Sequence, residues 1–368
     1  MAVSLRAVAA LFLRLGVTAF GGPAAHLGMM HGEVVRRRQW VTDDEFGDLL
    51  AATNLIPGPN STEMAIYVGR KVAGWRGLIV AGACFIIPAA VIVACLAAVY
   101  TRYGRTPDAR EFLSGVTPVV LAIIVQAIWR LGRSTLRTPV SIAVALASMV
   151  LVLNGIHELW VLLCAGVLLA AASSWTFPML LAIPPGIYLQ PAAPTASLAS
   201  LALFFLKVGS ILFGSGYVLI AFLRTDLVER WHWLTDQQLL DAVAVGQITP
   251  GPVFTTATFV GFLLGGWSGA TVSTVAIFLP AFVLAALTYP IIPRMRQSRT
   301  LGAFLDGVVA ASLGLMAATA GSIGATALRD PVSVILFTTA AFALVAWNVN
   351  STWLIAAGGL VGLVRGWL

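Results

Sequence analysis

Charged side chains are scarce in this chain. They account for 10% of its 368 residues, whereas a soluble domain has about 25%. Hydrophobic residues account for 59%, and the mean hydropathy is +0.93. This composition excludes a water-soluble enzyme of this size, because the polar residues cannot cover its surface. We expect an all-α, polytopic membrane protein. At about 20 residues per helical span, the apolar residues suffice for about 10 spans.

Cysteine and histidine are also scarce. The three cysteines lie in apolar segments at spacings that fit neither a zinc site nor a disulfide framework. The four histidines include no pair at i, i+4, and a phosphate-binding Gly-Lys-Ser/Thr sequence is missing, so we expect no metal, no cofactor and no ATP-driven step. The net charge of +7 comes from short basic clusters between apolar runs, which is typical of membrane topology rather than of nucleic-acid binding.

The sequence contains an internal repeat. Residues 11–23 match residues 204–216, and the same offset aligns Pro57-Gly58-Pro59 with Pro250-Gly251-Pro252. Beyond these motifs the alignment continues with an offset shorter by one residue. We therefore divide the chain into a first repeat (1–175), a Pro-rich linker (176–197) and a second repeat (198–368). Duplicated halves are typical of secondary transporters, in which the repeats are often inverted across the membrane plane.

The basic residues favour inversion of the two halves. Three of them, Arg70, Lys71 and Arg76, align with uncharged residues in the second half. Loops on the same side of the membrane should not differ so much in Lys and Arg. If both flanks of the first Pro-Gly-Pro motif face the cytoplasm, the motif lies at the tip of a re-entrant helical hairpin. Each half then has five crossings, and an odd number inverts the second half.

Each half has two predicted helix breaks at membrane depth. The first is Phe20-Gly21-Gly22-Pro23, matched by 213–216, and the second is the Pro-Gly-Pro motif. Non-helical backbone is tolerated there only where protein or a water-lined cavity surrounds it. A helix that starts at a break presents free N–H groups to an anion; alternatively, the motifs are ordinary turns in loops. The predicted substrate contacts at the breaks are Gly21, Gly22, Pro23, Pro57, Gly58, Pro59, Asn60, Ser61, Thr62, Gly214, Ser215, Pro250, Gly251, Pro252 and Thr255.

Four polar side chains at equivalent positions are further candidates for substrate binding. Arg14 and Lys207 lie within apolar runs, where a charge is a functional hypothesis by default. The alternative is that both extend to a membrane interface. Asn54 and Gln247 precede the Pro-Gly-Pro motifs and are either ligand contacts or partners of the neighbouring backbone.

Two titratable residues are candidates for proton coupling. Glu63 follows the first Pro-Gly-Pro motif, and its counterpart is threonine at either alignment offset. It either carries a proton or caps the short helix. His26, which is also a candidate substrate contact, follows the first break and either titrates during transport or only packs. We predict no catalytic residue, because Ser215 has no base in reach.

The motifs resemble those of the chromate ion transporter family. The resemblance is carried by Phe20-Gly21-Gly22-Pro23, Trp40 and the run from Pro57 to Thr62, and the weaker second copy looks like the second domain of long, two-domain members. It implies a multi-pass protein of the bacterial inner membrane that exports chromate, a sulfate-like dianion, by coupling to protons or by anion exchange, and confers chromate resistance. The partners expected are the oxyanion, the lipid bilayer and a second copy in a homodimer.

The chain departs from the family pattern at two positions near the first Pro-Gly-Pro motif. The family often has Gln where Asn54 and Glu63 stand in this sequence. A shorter amide and an added carboxylate change the chemistry that an anion meets. Transport of sulfate or another small anion is therefore an alternative, and a passive anion channel is an alternative of a different class.

Overall fold

The computed structural model describes residues 3–20, 22–104, 106–173, 194–213, 216, 218–292, 298–347 and 349–367. Across these residues the protein is helical and contains no β-strand. Four of its helices are long and apolar enough to cross a membrane. The chain is an all-α membrane protein, as its composition indicates.

The helices occur in two series of seven. The first half contains α1 (Leu5–Thr18), α2 (Gly22–His31, continued by a π-helical segment Gly32–Arg37), α3 (Asp43–Thr53), α4 (Asn60–Tyr103), α5 (Pro107–Thr135), α6 (Pro139–Leu153) and α7 (Glu158–Ser173). The second half contains α8 (Leu198–Ile211), α9 (Val218–Leu223, continued by a π-helical segment Arg224–Arg230), α10 (Asp236–Ile248), α11 (Thr256–Thr288), α12 (Arg299–Ala327), α13 (Pro331–Ala346) and α14 (Ser351–Trp367). Short 3-10 turns at Val253–Thr255 and Tyr289–Ile291 flank α11.

Local sequence signals set the start of α3 and α10. The Thr42 hydroxyl accepts a hydrogen bond from the N–H of Glu45, and the Glu45 carboxylate accepts one from the N–H of Thr42. Thr235 and Gln238 form the same capping box at α10. Such reciprocal bonds satisfy two of the unpaired N–H groups of a first turn. The helix predicted to start after Thr42 is confirmed.

The helices α4 and α11 each reverse direction at a glycine. Gly74 (φ 65) and Gly266 (φ 60) interrupt the helical backbone. Thr258 and Thr274 are 2.7 Å apart at their hydroxyl oxygens, whereas 16 residues of straight helix would span about 24 Å. Each helix is therefore a hairpin with a short arm and a long arm. We name these arms α4a (60–72), α4b (75–103), α11a (256–264) and α11b (267–288).

The helices α3 and α4a form a second hairpin, with Pro57-Gly58-Pro59 at its tip. Lys71 Nζ lies 2.8 Å from Glu45 Oε1, so the end of α4a lies beside the start of α3. The N–H of Val3 donates to the carbonyl of Val72 at 3.1 Å, which brings the start of α1 to the same place. We call this end, marked by Glu45 and Lys71, the mouth of the hairpin.

The two halves interlock through close helix packing. The backbone of Gly115 on α5 contacts Gly358 on α14, and Gly307 on α12 contacts Gly166 on α7. These contacts are equivalent, because α5 corresponds to α12 and α7 to α14. Glycines allow helix backbones to approach closely in membrane proteins. The larger hydrophobic core accordingly draws residues from both halves.

Candidate functional site

The two Pro-Gly-Pro breaks are held by the opposite halves of the protein. The N–H of Gly58 donates to the carbonyl of Leu212 at 2.8 Å, and the N–H of Gly251 donates to the carbonyl of Ala19 at 2.9 Å. Ala19 and Leu212 are the C-caps of α1 and α8. The two bonds are equivalent under the sequence repeat. Each break is thus fixed to the end of the other half's first helix.

Both breaks require glycine. Gly58 has φ +140 and Gly251 has φ +89, a region that L side chains rarely adopt. A Cβ atom on Gly251 would lie 2.6 Å from the Cβ of Ala89, and one on Gly58 would overlap the Glu63 carboxylate. The glycines therefore serve both the backbone turn and the close contact.

The start of α4a buries polar groups that lack partners. Ser61, Thr62 and Glu63 are 2%, 0% and 0% exposed. The Thr62 hydroxyl and both Glu63 carboxylate oxygens have no hydrogen-bond partner among the described residues. The N–H groups of a first helical turn also have no partner within their own helix. Buried polar groups in proteins are almost always paired, so this cluster is the strongest candidate for a site.

The second break differs at the corresponding place. The Thr255 hydroxyl donates to the carbonyl of Pro252 at 2.9 Å, and the Thr256 hydroxyl donates to the carbonyl of Val253 at 2.8 Å. These hydroxyls are satisfied by the local backbone. Gln247, the amide that precedes this break, is 5% exposed. The sequence repeat predicts two similar breaks, and the structure shows that their polar groups are used differently.

The amide of Asn54 bridges the first break. Asn54 is exposed and caps the C-terminus of α3. Its oxygen accepts a hydrogen bond of 2.8 Å from Asn60 Nδ2, and its own Nδ2 donates to the carbonyl of Leu50 at 3.3 Å. Asn54 and Asn60 therefore lie together on the accessible side of the break.

The two cations within apolar runs have internal counter-ions. Arg14 Nη2 lies 2.5 Å from Glu33 Oε1, and Lys207 Nζ lies 2.5 Å from Asp226 Oδ2. The pairs are equivalent under the repeat, which also aligns the two acids. The sequence analysis missed both acids as partners, although their shared offset was the signal that pairs them.

Further cations surround the acid of each pair. Glu33 also binds Arg37 and Arg38, each at 3.2 Å. Burial raises the pKa of Glu33, but hydrogen bonds from Arg14, Arg38 and Arg37 lower it, and the result is below the ordinary value. Asp226 is 0% exposed and also binds Arg230.

His26 lies behind the first helix break. It is 1% exposed, and its ring meets that of Phe85 edge-on, with centroids 5.7 Å apart. Gly16, on the other side of the break, packs against the backbone of Phe85. The segments flanking the break thus fold back side by side on α4b. Gly22 and Pro23 begin α2, whereas Gly21, Gly214 and Ser215 lie outside the described residues.

A charged cluster joins the α6–α7 turn to the second half. Ligand atoms of His157, Glu158 and Asp226 lie within 4.8 Å of one another, which is a spacing that a metal ion can use. Lys207 and Arg230 already bind the Asp226 carboxylate, however. Their positive charges oppose a further cation, so we treat the cluster as an ion-pair network between the halves.

Comparison with known proteins identifies the family. The model of the family described as "Chromate transporter" matches residues 6–170 and 199–363. The chain is 32% identical to the "Chromate transport protein" of Cupriavidus metallidurans (98% of this chain, 93% of the relative). It is 34% identical to the protein of that name from Pseudomonas aeruginosa (96% and 90%). A "Probable chromate transport protein" of Synechococcus elongatus is 32% identical (89% and 87%).

These relatives are named as transport proteins and not as enzymes. No solved structure gives a significant match. The family model covers most of the chain, in two copies that correspond to the two series of helices. The chain therefore belongs to the chromate transporter family.

Proposed function

We propose that this protein is a secondary transporter that moves chromate, or a sulfate-like oxyanion, across the bacterial inner membrane. Family membership supports the substrate class. The observation that carries the site is the buried start of α4a, where Thr62 and Glu63 have no hydrogen-bond partner among the described residues. Free N–H groups and the positive end of a helix dipole at this place attract an anion.

The two halves are proposed to form an inverted repeat. Tyr67, near the end of the short arm α4a, shares a hydrogen bond of 2.8 Å with Thr288, at the end of the long arm α11b. Tyr100, near the end of α4b, packs its ring on Phe259 of α11a, with centroids 5.2 Å apart. In both cases the far end of one long arm meets the short arm of the other half. This pattern supports opposite orientations of the halves.

Five apolar helices in each half are proposed to lie in the bilayer. They are α1, α4b, α5, α6 and α7 in the first repeat and their counterparts in the second. This assignment keeps the expected total of about ten, with re-entrant hairpins formed by α3–α4a and its counterpart. Both matches to the family model fall inside the proposed domains 1–175 and 198–368. Most of the linker 176–197 lies outside the described residues.

The remaining site residues receive roles by position. Asn60, Ser61 and Thr62 are proposed to contact the anion directly, and Asn54 to face it from α3. Arg14 and Lys207 remain predicted substrate contacts, in competition with Glu33 and Asp226. Glu63 and His26 are the proton-coupling candidates, and anion exchange is the other proposed source of energy. A homodimer remains a prediction.

Transport by purified protein in vesicles tests this function. A proton or sulfate gradient imposed across the membrane is expected to drive chromate uphill, and Arg14→Gln is the inactive control. Flux that only follows voltage would identify a passive channel. Uphill movement of sulfate without chromate would retain the transporter class and change the substrate.

A further inference from the structure

Glu63 is the buried ionisable group nearest to the first break. Its carboxylate contacts the Cα region of Gly58, where an added Cβ would overlap Oε1. The residue is 0% exposed, and no described hydrogen-bond donor reaches either oxygen. A carboxylate in such a place has no internal compensation for a negative charge.

No described cation neutralises this carboxylate. On its own helix, Tyr67 is the titratable neighbour one turn along, and the basic residues Arg70 and Lys71 lie about 10 Å further on. Arg70 stacks on Trp75, with its guanidinium carbon 4.2 Å from the ring centroid, and Lys71 pairs with Glu45.

The elements packed around the first break add few charges. The titratable groups on the neighbouring helices are His26 on α2, which packs on Phe85, and Asp48 on α3. From the second half, Ala281 faces Gly58. A second negative charge at this break would therefore meet Glu63 directly.

We propose that the oxyanion and one proton bind the first break together, with the proton carried by Glu63. The inference rests on the proposed anion site at the start of α4a. A dianion bound to Asn60, Ser61 and Thr62 repels an ionised carboxylate nearby, and this repulsion is strong where water is excluded. A proton on Glu63 removes the repulsion and supplies an O–H donor for the anion. By linkage, each ligand raises the affinity for the other.

This coupling fixes the relative direction of the two ions. Because proton and anion bind the same state, they cross the membrane in the same direction, and each dianion moves with one net negative charge. The second break has no equivalent acid, since Thr255 and Thr256 stand at the corresponding positions and bond to the backbone. Proton dependence therefore belongs to the first half alone.

Sulfate binding as a function of pH tests the proposal. Sulfate stays a dianion between about pH 5.5 and pH 8.5, so a pH effect reports on the protein. We would titrate sulfate into the purified full-length protein by calorimetry. The wild type is expected to weaken roughly tenfold per pH unit once free Glu63 ionises. Glu63→Gln is expected to bind with no pH dependence, and His26→Gln is expected to follow the wild type.

A second measurement needs no variant. With wild-type protein in vesicles that contain a pH-sensitive dye, an imposed inward sulfate gradient should acidify the interior. Alkalinisation, or pH-independent sulfate binding by the wild type, would overturn the coupling while leaving the anion site in place. A pH slope that persists in Glu63→Gln would also overturn it. If neither protein binds sulfate or chromate at any pH, the proposed anion site itself fails, and the coupling fails with it.

Discussion

Replacing Gly251 by alanine should weaken the contact that joins the two halves at the breaks. The new Cβ would lie 2.6 Å from the Cβ of Ala89, well inside the 3.5–4.0 Å that carbon atoms prefer, and overpacking of this kind costs about 1–3 kcal/mol. The left-handed backbone at φ +89 adds about 1–2 kcal/mol for an L residue. We expect a total loss of about 2–5 kcal/mol, which is a large share of the roughly 5–15 kcal/mol that stabilises a typical protein.

Gly302→Ala provides the matched control. Gly302 lies within α12, and among the described residues no atom outside its own helix and its chain neighbours comes within 4 Å of a Cβ added there. Alanine is favoured over glycine in a helix by up to about 1 kcal/mol, so this variant should be as stable as the wild type or slightly more stable. Both proteins would be unfolded by titration with denaturant in detergent, and their sulfate or chromate flux would be measured in vesicles. Equal stability and full transport in Gly251→Ala would refute the role assigned to this contact.

Three further variants test the ion pairs. Arg14→Gln should abolish oxyanion transport and spare expression, whereas Arg36→Gln, at an exposed position, should keep both; undiminished transport in Arg14→Gln would restrict Arg14 to a structural pair. Asp226→Asn leaves Lys207 without its buried counter-ion, so it should lower the free energy of unfolding by about 3–5 kcal/mol, and adding Lys207→Met should recover part of this; no loss would show that the pair is dispensable. Hydrogen bonds from the paired lysine and from the backbone of its own cap hold the pKa of Glu45 below its usual value, so its stabilisation is present above the ordinary glutamate pKa and is lost as the pH falls through the lowered one. Because both side chains are more than a third exposed, Glu45→Gln should be less stable than the wild type by at most about 1 kcal/mol at pH 7, and a difference that persists at pH 2 would contradict this assignment.

Local chemistry made the helix boundaries near the site predictable. Thr42 is followed by Glu45 at the spacing of a capping box, and the structure contains both of its hydrogen bonds. Pro57 and Pro59 exclude a continuous helix, and α4 starts directly after them at Asn60. The short helix predicted to end near residue 73 ends at the reversal of Gly74. These features depend on residues close in sequence, so a sequence is enough to find them.

The partners of the charged residues were not predictable in the same way. Arg14 and Glu33 are separated by a helix break, and their pairing depends on how α1 and α2 fold back on α4b. The reciprocal bonds of Gly58 and Gly251 join residues from different halves. Such contacts are decided by tertiary packing, which a pattern along the chain does not encode.

The difference between the two breaks also became visible only in the structure. The sequence shows a glutamate at position 63 and threonines at its counterparts. It does not show that the threonine hydroxyls of the second break bond to their own backbone. Nor does it show that Thr62 and Glu63 are buried, with no described partner for their side-chain oxygens. The candidate site was therefore correctly placed at the breaks by the sequence pattern, and its asymmetry comes from packing.

A structure of the protein in a lipid nanodisc with bound chromate tests the central claim most directly. We expect both Pro-Gly-Pro motifs near the middle of the bilayer, with the two halves in opposite orientations. The anion should lie within hydrogen-bond distance of the N–H groups and side chains of Asn60, Ser61 and Thr62. Breaks that lie in bulk water, halves that share one orientation, or an anion bound far from α4a would contradict this account.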